Sequence, residues 1–303
     1  MTKMTDLQQK MVEFISVYQL KFDEPMSKHT SFRIGGNAEV FAMPQSREAL
    51  ASLLQTAAAM GIKPAILGAG TNVLAPDEGL PGITICLKDA LEGMELLGGD
   101  RIRVMSGVTM TRAAVFAANH GLAGMEFAHG IPGTVGGGVF MNAGAYGGEM
   151  KDIVESVEIM DFNGKTTVLT NEEMGFSYRH SRLENCGDIV ISATFRLQKG
   201  ESEAIKETMH QLQAKRSASQ PLDLPSAGSA FKRPVGGYAA ALIDQAGLKG
   251  YQVGGAAIST KHAGFAVNLG GATAADVKML LQQVSDIVFA RDGIRLEPEV
   301  RIW

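Results

Sequence analysis

The most informative stretch of the sequence runs from Gly130 to Gly148, G-I-P-G-T-V-G-G-G-V-F-M-N-A-G-A-Y-G-G, with eight glycines in 19 residues. Glycine has no Cβ, so its backbone reaches positive φ and lets N–H groups approach a ligand closely. Flexible linkers favour Ser, whereas this stretch carries Ile, Val, Phe and Met. Its glycines and proline also make a poor transmembrane helix. The composition predicts a loop wrapped around a large ligand, with a Gly-rich surface linker as the alternative.

A second glycine-rich turn, G-A-G-T-N at 68–72, follows the short apolar segment Pro64–Leu67. Such a turn suits main-chain binding of a pyrophosphate, although a tight strand-to-loop turn explains it equally well. It is not the G-x-G-x-x-G dinucleotide fingerprint, because the residues from Val73 onward do not open a helix. Two such segments about 60 residues apart favour one shared diphosphate ligand.

Composition sets the broad class of the protein. A length of 303 residues with 45% hydrophobic and 20% charged residues predicts a soluble globular protein of two or three domains. A net charge of −4 gives no electrostatic footprint for nucleic acid. The first ten residues carry no apolar signal region, and two isolated cysteines, Cys86 and Cys186, form neither a disulfide framework nor a metal site. We therefore expect a cytoplasmic protein with no metal and no membrane segment, and a monomer because no long apolar heptad is present.

Hydrophobic periodicity predicts alternating helices and strands. A helix capped by Ser46 ends at Gly61, and a long helix starts at Thr273 with Asp276 in the capping-box position. Its apolar face is predicted to contain Val277, Leu280, Leu281, Val284, Ile287 and Val288. Further helices are predicted over 111–120 and 201–216, and further strands over 83–87, 102–105, 153–161 and 189–197.

Six sequence blocks in a fixed order resemble one known family. They are H-T-S-F-R-I-G-G at 29–36, G-A-G-T-N at 68–72, G-I-P-G-T-V-G-G-G-V-F-M-N-A-G-A-Y-G at 130–147, F-S-Y-R-H-S at 176–181, A-G-S-A-F-K-R-P at 227–234 and L-E-P-E-V-R-I-W at 296–303. Together they resemble the UDP-N-acetylenolpyruvoylglucosamine reductase (MurB) family. Only 50 positions separate Arg179 from Ser229, so the chain resembles the shorter class, which lacks an extra substrate-covering segment.

The resemblance implies an α+β fold: a two-subdomain FAD-binding fold of the vanillyl-alcohol oxidase type, followed by a C-terminal α+β substrate domain. It suggests an N-terminal helical segment at 1–28, an FAD-binding domain at 29–200 split near 90, and a substrate-binding domain at 201–303. The implied reaction uses NADPH and non-covalent FAD to reduce the enolpyruvyl ether of UDP-N-acetylglucosamine to UDP-N-acetylmuramate, in peptidoglycan precursor synthesis.

The resemblance carries three catalytic roles onto this chain. Arg179 would bind the substrate carboxylate and stabilise the enolate, since a guanidinium suits two-point carboxylate recognition. Ser229 would give the proton to the carbanionic carbon, although a serine in a Gly/Pro-rich loop is more often a turn residue. Glu299 would complete the enolate-stabilising group, either protonated or through Arg179.

The resemblance also implies binding residues. Those expected around FAD are Gly68, Ala69, Gly70, Thr71, Asn72, Gly130, Ile131, Pro132, Gly133, Thr134, Gly136, Gly137, Asn142, Ala143, Gly144, Ala145 and Arg301. Those expected at the substrate are Tyr178, Lys232, Arg233 and His262; for the last three, a solvated surface residue is the alternative interpretation.

Two other functions are compatible with parts of the sequence. One is a flavin oxidase of the same FAD fold that acts on a sugar alcohol or lactone; His29 is the candidate for a covalent flavin link, and a capping or core residue is the other interpretation. The second is a non-catalytic carrier of flavin or nucleotide sugar, in which Ser229 and Glu299 are structural.

Overall fold

The structure is a computed structural model that describes residues 4–303. Its α-helices are α1 Asp6–Met11, α2 Ile15–Tyr18, α3 Arg47–Ala59, α4 Met110–Asn119, α5 Val135–Phe140, α6 Met150–Ile153, α7 Leu183–Cys186, α8 Ser202–Ser219, α9 Ala239–Gln245 and α10 Ala274–Asp292. Short 3-10 turns lie at Val12–Phe14, Met26–Lys28 and Glu126–Ala128.

The strands are mostly short. They are β1 Lys21–Pro25, β2 Asn37–Ala42, β3 Ala65–Leu67, β4 Val73–Leu74, β5 Leu80–Cys86, β6 Met94–Gly98, β7 Arg101–Met105, β8 Leu122–Ala123, β9 Gly144–Ala145, β10 Gly148–Glu149, β11 Val154–Met160, β12 Thr166–Thr170, β13 Ile189–Arg196, β14 Gln198–Lys199, β15 Ser226–Ser229, β16 Gln252–Val253, β17 Ala256–Ile258, β18 Phe265–Asn268 and β19 Arg301–Ile302. The α+β class predicted from the sequence is confirmed.

The chain divides into two compact units, each built from separate stretches of sequence. Unit 1 comprises the described residues up to Phe22 together with Glu39–Ala69 and Gly82–Lys215. Unit 2 comprises Asp23–Ala38, Gly70–Pro81 and Arg216–Trp303. The units follow packing rather than chain order, so the linear domain boundaries at 28, 90 and 200 stay predictions. Within the predicted helical segment 1–28, helical turns cover the chain from Asp6 to Tyr18, Lys21–Pro25 form a strand, and residues 1–3 lie outside the described chain.

Unit 1 contains an antiparallel sheet of five strands in the order β12-β11-β13-β7-β6. Its core joins Val104 of β7 and Phe195 of β13 with Ala117 of α4 and Val139 of α5, all fully buried. A second core forms where α3 covers β2, β5 and β3. Ser46 caps α3 by accepting the Ala49 N–H at 3.1 Å, as the sequence predicts.

Unit 2 is built around α10 and the four-stranded sheet β15-β18-β17-β16. The predicted capping box is confirmed, because the Thr273 side chain accepts the Asp276 N–H and the Asp276 side chain accepts the Thr273 N–H, each at 3.0 Å. The apolar face is buried except at Ile287, which is 36% exposed. Ile287 lies at the edge of the helical stripe that Val277 and Val284 define, so its predicted burial is wrong.

Candidate active site

The glycine-rich stretch 130–148 is not one continuous loop, so that prediction is wrong over its middle part. Residues Val135–Phe140 form α5, and the Thr134 hydroxyl caps this helix by accepting the Gly137 N–H at 3.3 Å. Beyond α5, β9 and β10 form a short antiparallel hairpin. Glycine normally weakens a helix, and a local reason must outweigh that cost here.

The reason is close packing of α5 inside unit 1. A Cβ at Gly136 would lie 2.8 Å from the Ser106 Cβ, and a Cβ at Gly138 would lie 2.7 Å from the Met110 Sδ. Gly137 differs, because its Cβ would make an ordinary contact of 3.6 Å with the Thr134 Oγ1. The fold therefore requires glycine at 136, whereas a side chain at 138 would require the flexible Met110 side chain to move and one at 137 would meet no obstacle.

The two glycine-rich segments meet within unit 1. A Cβ at Gly68, just after β3, would lie 2.6 Å from the Thr134 Oγ1 at the start of α5. Gly133, beside Thr134, has a φ of +133°, in a region that L side chains rarely adopt. Main chain from the two segments thus converges with few side chains between, which fits a cofactor bound through backbone groups. The use of these residues by FAD stays a prediction.

Arg179 lies at the tip of a tight turn in unit 1. The Ser177 N–H donates to the His180 carbonyl at 3.0 Å, and the His180 N–H donates back to the Ser177 carbonyl at 3.2 Å. Arg179 has a φ of +54°, at a turn position that usually takes Gly or Asn. Its Nη2 donates to the Gly144 carbonyl at 3.4 Å, and its guanidinium lies 5.1 Å from the Tyr178 ring centroid. Strained backbone at a non-glycine residue is typical of functional sites.

The Arg179 turn is hydrogen-bonded at both ends to the C-terminal end of α5 and the residues just after it. The buried Ser181 hydroxyl donates to the Phe140 carbonyl at 2.7 Å. The buried Asn142 amide donates to the Ser177 carbonyl at 2.9 Å. The structure therefore brings Arg179 and Tyr178 together with Asn142 and Gly144.

In unit 2 the structure brings together Ser229, Glu299, Asn72 and Arg301. Ser229 is the last residue of β15, and the next carbonyl, that of Ala230, accepts the Glu299 N–H at 2.9 Å. The Asn72 Nδ2 donates to the Glu299 carbonyl at 3.2 Å. The Arg301 N–H donates to the Asn72 carbonyl at 3.0 Å, where β19 runs parallel to β4.

Gly70, in the second glycine-rich turn, is required by unit 2 itself. It has a φ of +63°, and a Cβ there would lie 2.0 Å from the His29 carbonyl oxygen. The His29 Nε2 lies 2.9 Å from the Glu24 carboxylate, so this histidine serves a local contact, in line with its interpretation as a structural residue.

The predicted substrate residues of unit 2 have protein partners. Lys232 pairs with Glu297, and the Arg233 guanidinium lies 4.3 Å from the Tyr238 ring centroid. The His262 Nδ1 accepts the Gly264 N–H at 3.1 Å. Burial lowers the pKa of His262, which keeps the ring neutral at pH 7. Tyr178, the remaining one, lies in unit 1 and is about half exposed.

Sequence reasoning missed Asp77, which belongs to the turn region of unit 2. Its carboxylate accepts the Ala274 N–H at 2.7 Å and the Ala275 N–H at 3.0 Å, at the start of α10. An acid at a helix N-terminus balances the helix dipole, but nothing in the local sequence near Asp77 indicates a partner so distant along the chain.

Over residues 4–303, no cluster of three or more His, Cys, Asp or Glu side chains is placed to hold a metal ion. None of the helices in this range combines the length and the apolar character needed to cross a membrane.

Comparison with known proteins gives consistent matches over the chain. Residues 38–170 match the FAD binding domain family, and residues 220–303 match the UDP-N-acetylenolpyruvoylglucosamine reductase C-terminal domain family. The UDP-N-acetylenolpyruvoylglucosamine reductase of Caldanaerobacter subterraneus subsp. tengcongensis is 46% identical, over 97% of this chain and 96% of the relative. That of Latilactobacillus sakei subsp. sakei is 44% identical over 93% of each chain. The crystal structure of the Thermus caldophilus enzyme superimposes with a TM-score of 0.80 at 36% identity, covering 94% of this chain and 98% of that one.

Proposed function

The chain belongs to the UDP-N-acetylenolpyruvoylglucosamine reductase family, and from this premise we propose how its residues perform the family's reaction. It is an FAD-dependent oxidoreductase, UDP-N-acetylmuramate dehydrogenase (EC 1.3.1.98), with an FAD-binding fold of the vanillyl-alcohol oxidase type followed by the C-terminal domain of the family. NADPH is the reductant, and the product is UDP-N-acetylmuramate for peptidoglycan synthesis. When bound, FAD would supply the hydride chemistry between NADPH and the terminal vinyl carbon of the substrate.

We propose that main-chain groups of the two glycine-rich segments, where they converge, bind FAD. Gly68, Ala69 and the stretch from Gly130 to Gly137 offer backbone that can approach a ligand closely. Asn142–Ala145, Gly70–Asn72 and Arg301 complete the predicted set.

Arg179 is assigned to the carboxylate of the substrate. Negative charge develops on the carbon bearing the ether and spreads into that carboxylate, and a fixed guanidinium stabilises it in two-point contact. The observation that carries this assignment is the turn of Arg179. Its backbone is held at a φ of +54° and tied to the chain around α5 on both sides.

Ser229 is assigned as the proton donor to the carbanionic carbon, and Glu299 as the third member of the catalytic group. Support comes from their placement on neighbouring main chain, because the Glu299 N–H bonds to the carbonyl directly after Ser229. Tyr178, Lys232, Arg233 and His262 are assigned to the rest of the substrate. We place the enzyme in the cytoplasm as a monomer, and its two free thiols suit a reducing compartment.

An anaerobic two-step experiment tests the activity. NADPH added to the yellow protein should bleach the flavin absorbance, and enolpyruvyl-UDP-N-acetylglucosamine should then restore it. A flavin oxidase would not be reduced by NADPH, and a carrier would show neither change.

Arg179→Lys tests the residue assignment. An ammonium cannot make the planar two-point contact with a carboxylate, so the variant should be reduced by NADPH at the normal rate and reoxidised by substrate about 10- to 1,000-fold more slowly. Stopped-flow absorbance separates the two steps. Equal reoxidation rates in variant and wild type would remove Arg179 from the mechanism.

A further inference from the structure

Asn142 is a buried polar side chain whose amide is fully engaged by the protein. Its Nδ2 donates to the Glu149 Oε2 and to the Ser177 carbonyl, each at 2.9 Å, and its Oδ1 accepts the Lys151 N–H at 2.9 Å. An asparagine amide has two donor hydrogens, and both go to these two acceptors. The Asn142 N–H is engaged as well, since it donates to the Val139 carbonyl at 3.2 Å.

The bond to Ser177 reaches the carbonyl that closes the Arg179 turn. The same oxygen accepts the His180 N–H at 3.2 Å. The Arg179 Nη2 in turn donates to the Gly144 carbonyl, two residues after Asn142. Asn142 therefore fixes the backbone of the turn and also lies next to the carbonyl that orients the guanidinium.

We infer that Asn142 is a positioning residue that holds Arg179 for the substrate carboxylate, an inference that rests on the function proposed above for Arg179. Asn142 has a φ of +44°, a conformation that asparagine tolerates better than most residues. An aspartate would keep the acceptor for Lys151 but lose both donors and face the Glu149 carboxylate. Side chain and backbone conformation together thus favour asparagine.

The effect on catalysis follows from geometry. Without the Asn142 amide, the Ser177 carbonyl loses a bond and the Arg179 turn shifts relative to α5. Misplacement of a catalytic group by about 1 Å can cost on the order of 100-fold in rate. The loss should fall on the step in which charge develops beside Arg179.

Asn142→Gly tests the inference, because glycine removes the amide and still accepts a positive φ. Stopped-flow should show flavin reduction by NADPH at nearly the wild-type rate, and reoxidation by the substrate about 10- to 100-fold slower. Calorimetry adds a readout without turnover. Affinity for UDP-N-acetylmuramate, which carries the carboxylate, should fall about tenfold, while affinity for UDP-N-acetylglucosamine, which lacks it, should not change.

Asn171→Ala is the matched control. The Asn171 Nδ2 donates to the Lys151 carbonyl at 2.8 Å and the Val154 carbonyl at 2.7 Å, so it fastens the same region by the same kind of bond. It is not bonded to the Arg179 turn, so its loss should lower the melting temperature and leave reoxidation unchanged.

A double-mutant cycle decides whether Asn142 acts through Arg179. In an Arg179→Ala background, Asn142→Gly should slow reoxidation no further. The inference would be overturned if Asn142→Gly were reoxidised at the wild-type rate. It would also be overturned if the fold-losses in reoxidation rate of the two single variants multiplied in the double variant. Wild-type reoxidation in Arg179→Ala alone would overturn the proposed function of Arg179 and this inference with it. If Asn142→Gly does not fold, Asn142→Asp replaces it with the same expected outcome.

Discussion

Ser229 carries the most specific chemical assignment of any single residue, and its replacement by alanine should separate the two half-reactions. NADPH reduces the flavin without a proton reaching the substrate carbon, so that step should keep its rate. Reoxidation by substrate needs the proton, and general acid catalysis typically contributes about 10²–10⁴-fold. Ser229→Ala should slow reoxidation by that range, as stopped-flow flavin absorbance would record.

Ser229→Cys is the matched variant, because it keeps a proton on a different atom in nearly the same place. It should recover part of the reoxidation rate. If Ser229→Ala reoxidises as fast as wild type, another group delivers the proton.

The glycines around α5 divide into two kinds, which substitution can separate. Gly136→Ala should lower thermal stability, since its Cβ would meet Ser106 at 2.8 Å, and overpacking of this kind costs about 1–3 kcal/mol. Gly137→Val should leave the melting temperature of FAD-free protein nearly unchanged and weaken FAD binding, because only a bound ligand would meet the new side chain. Flavin titration against melting curves makes the comparison. Equal FAD affinity in Gly137→Val and wild type would show that no ligand approaches this position.

The family resemblance identifies Arg179 and Ser229 as candidates, but it does not predict the hydrogen bonds that position them. The left-handed turn of Arg179 depends on Asn142 and Ser181. Asn142 lies far from this turn in sequence, and no spacing rule links them. Asp77 is missed for the same reason, since its partners begin a helix near the other end of the chain.

Among helices, α10 offers a test in which pH is the variable. The Thr273 and Gly255 N–H groups bond to the Asp276 carboxylate and lower its pKa. Because the folded-state pKa is depressed, the ionised form stabilises the fold above about pH 4, the usual aspartate range. That contribution is lost as the pH falls through the lowered value. Asp276→Asn should therefore reduce stability by about 1 kcal/mol at pH 7, and the difference from wild type should narrow toward pH 3.

Urea midpoints at several pH values measure the effect. Asp223→Asn, an exposed aspartate outside any helix, serves as the control for a general loss of negative charge. A stability difference for Asp276→Asn that stays constant from pH 7 to pH 3 would contradict the assignment of this carboxylate to the capping box of α10.

Helices and strands with a strong apolar period are found where the sequence predicts them, as α3, α4, α10 and β13 illustrate. The edge strands β6 and β12 escape prediction because they bury little; Val168 of β12 is 62% exposed. The helix α5 is also missed, although it is closely packed. Its glycines predict a loop on intrinsic propensity, and tertiary packing against Ser106 and Met110 overrides that propensity.

For the complete chain, the order of sequence blocks predicts the family. Domain boundaries drawn along the sequence do not predict the two compact units, because each unit is built from separate stretches. Unit 2 draws on Asp23–Ala38, Gly70–Pro81 and the C-terminal third, and those pieces are joined by contacts such as the Ser31 hydroxyl donating to the Ser226 carbonyl at 2.6 Å. Hydrophobic periodicity describes one segment at a time, so it cannot predict which distant segments pack together.

Release of FAD tests how the complete chain holds its cofactor. We expect acid precipitation to leave intact FAD in the supernatant, because His29, the candidate for a covalent link, is engaged by another side chain and the buried Cys86 thiol is unreactive. The His29 ring pairs with Glu24. Burial raises the pKa of the Cys86 thiol to about 11, so this thiol stays protonated and poorly nucleophilic.

Bound FAD should also stabilise the folded protein. A ligand that binds only the folded state, at a concentration 100 times its Kd, adds about 2.7 kcal/mol to the free energy of unfolding. The FAD-free protein should accordingly melt several degrees lower and recover on addition of FAD. Free FAD carried through the same precipitation controls for hydrolysis by acid, and flavin that remains in the protein pellet would reveal a covalent link and favour the oxidase alternative.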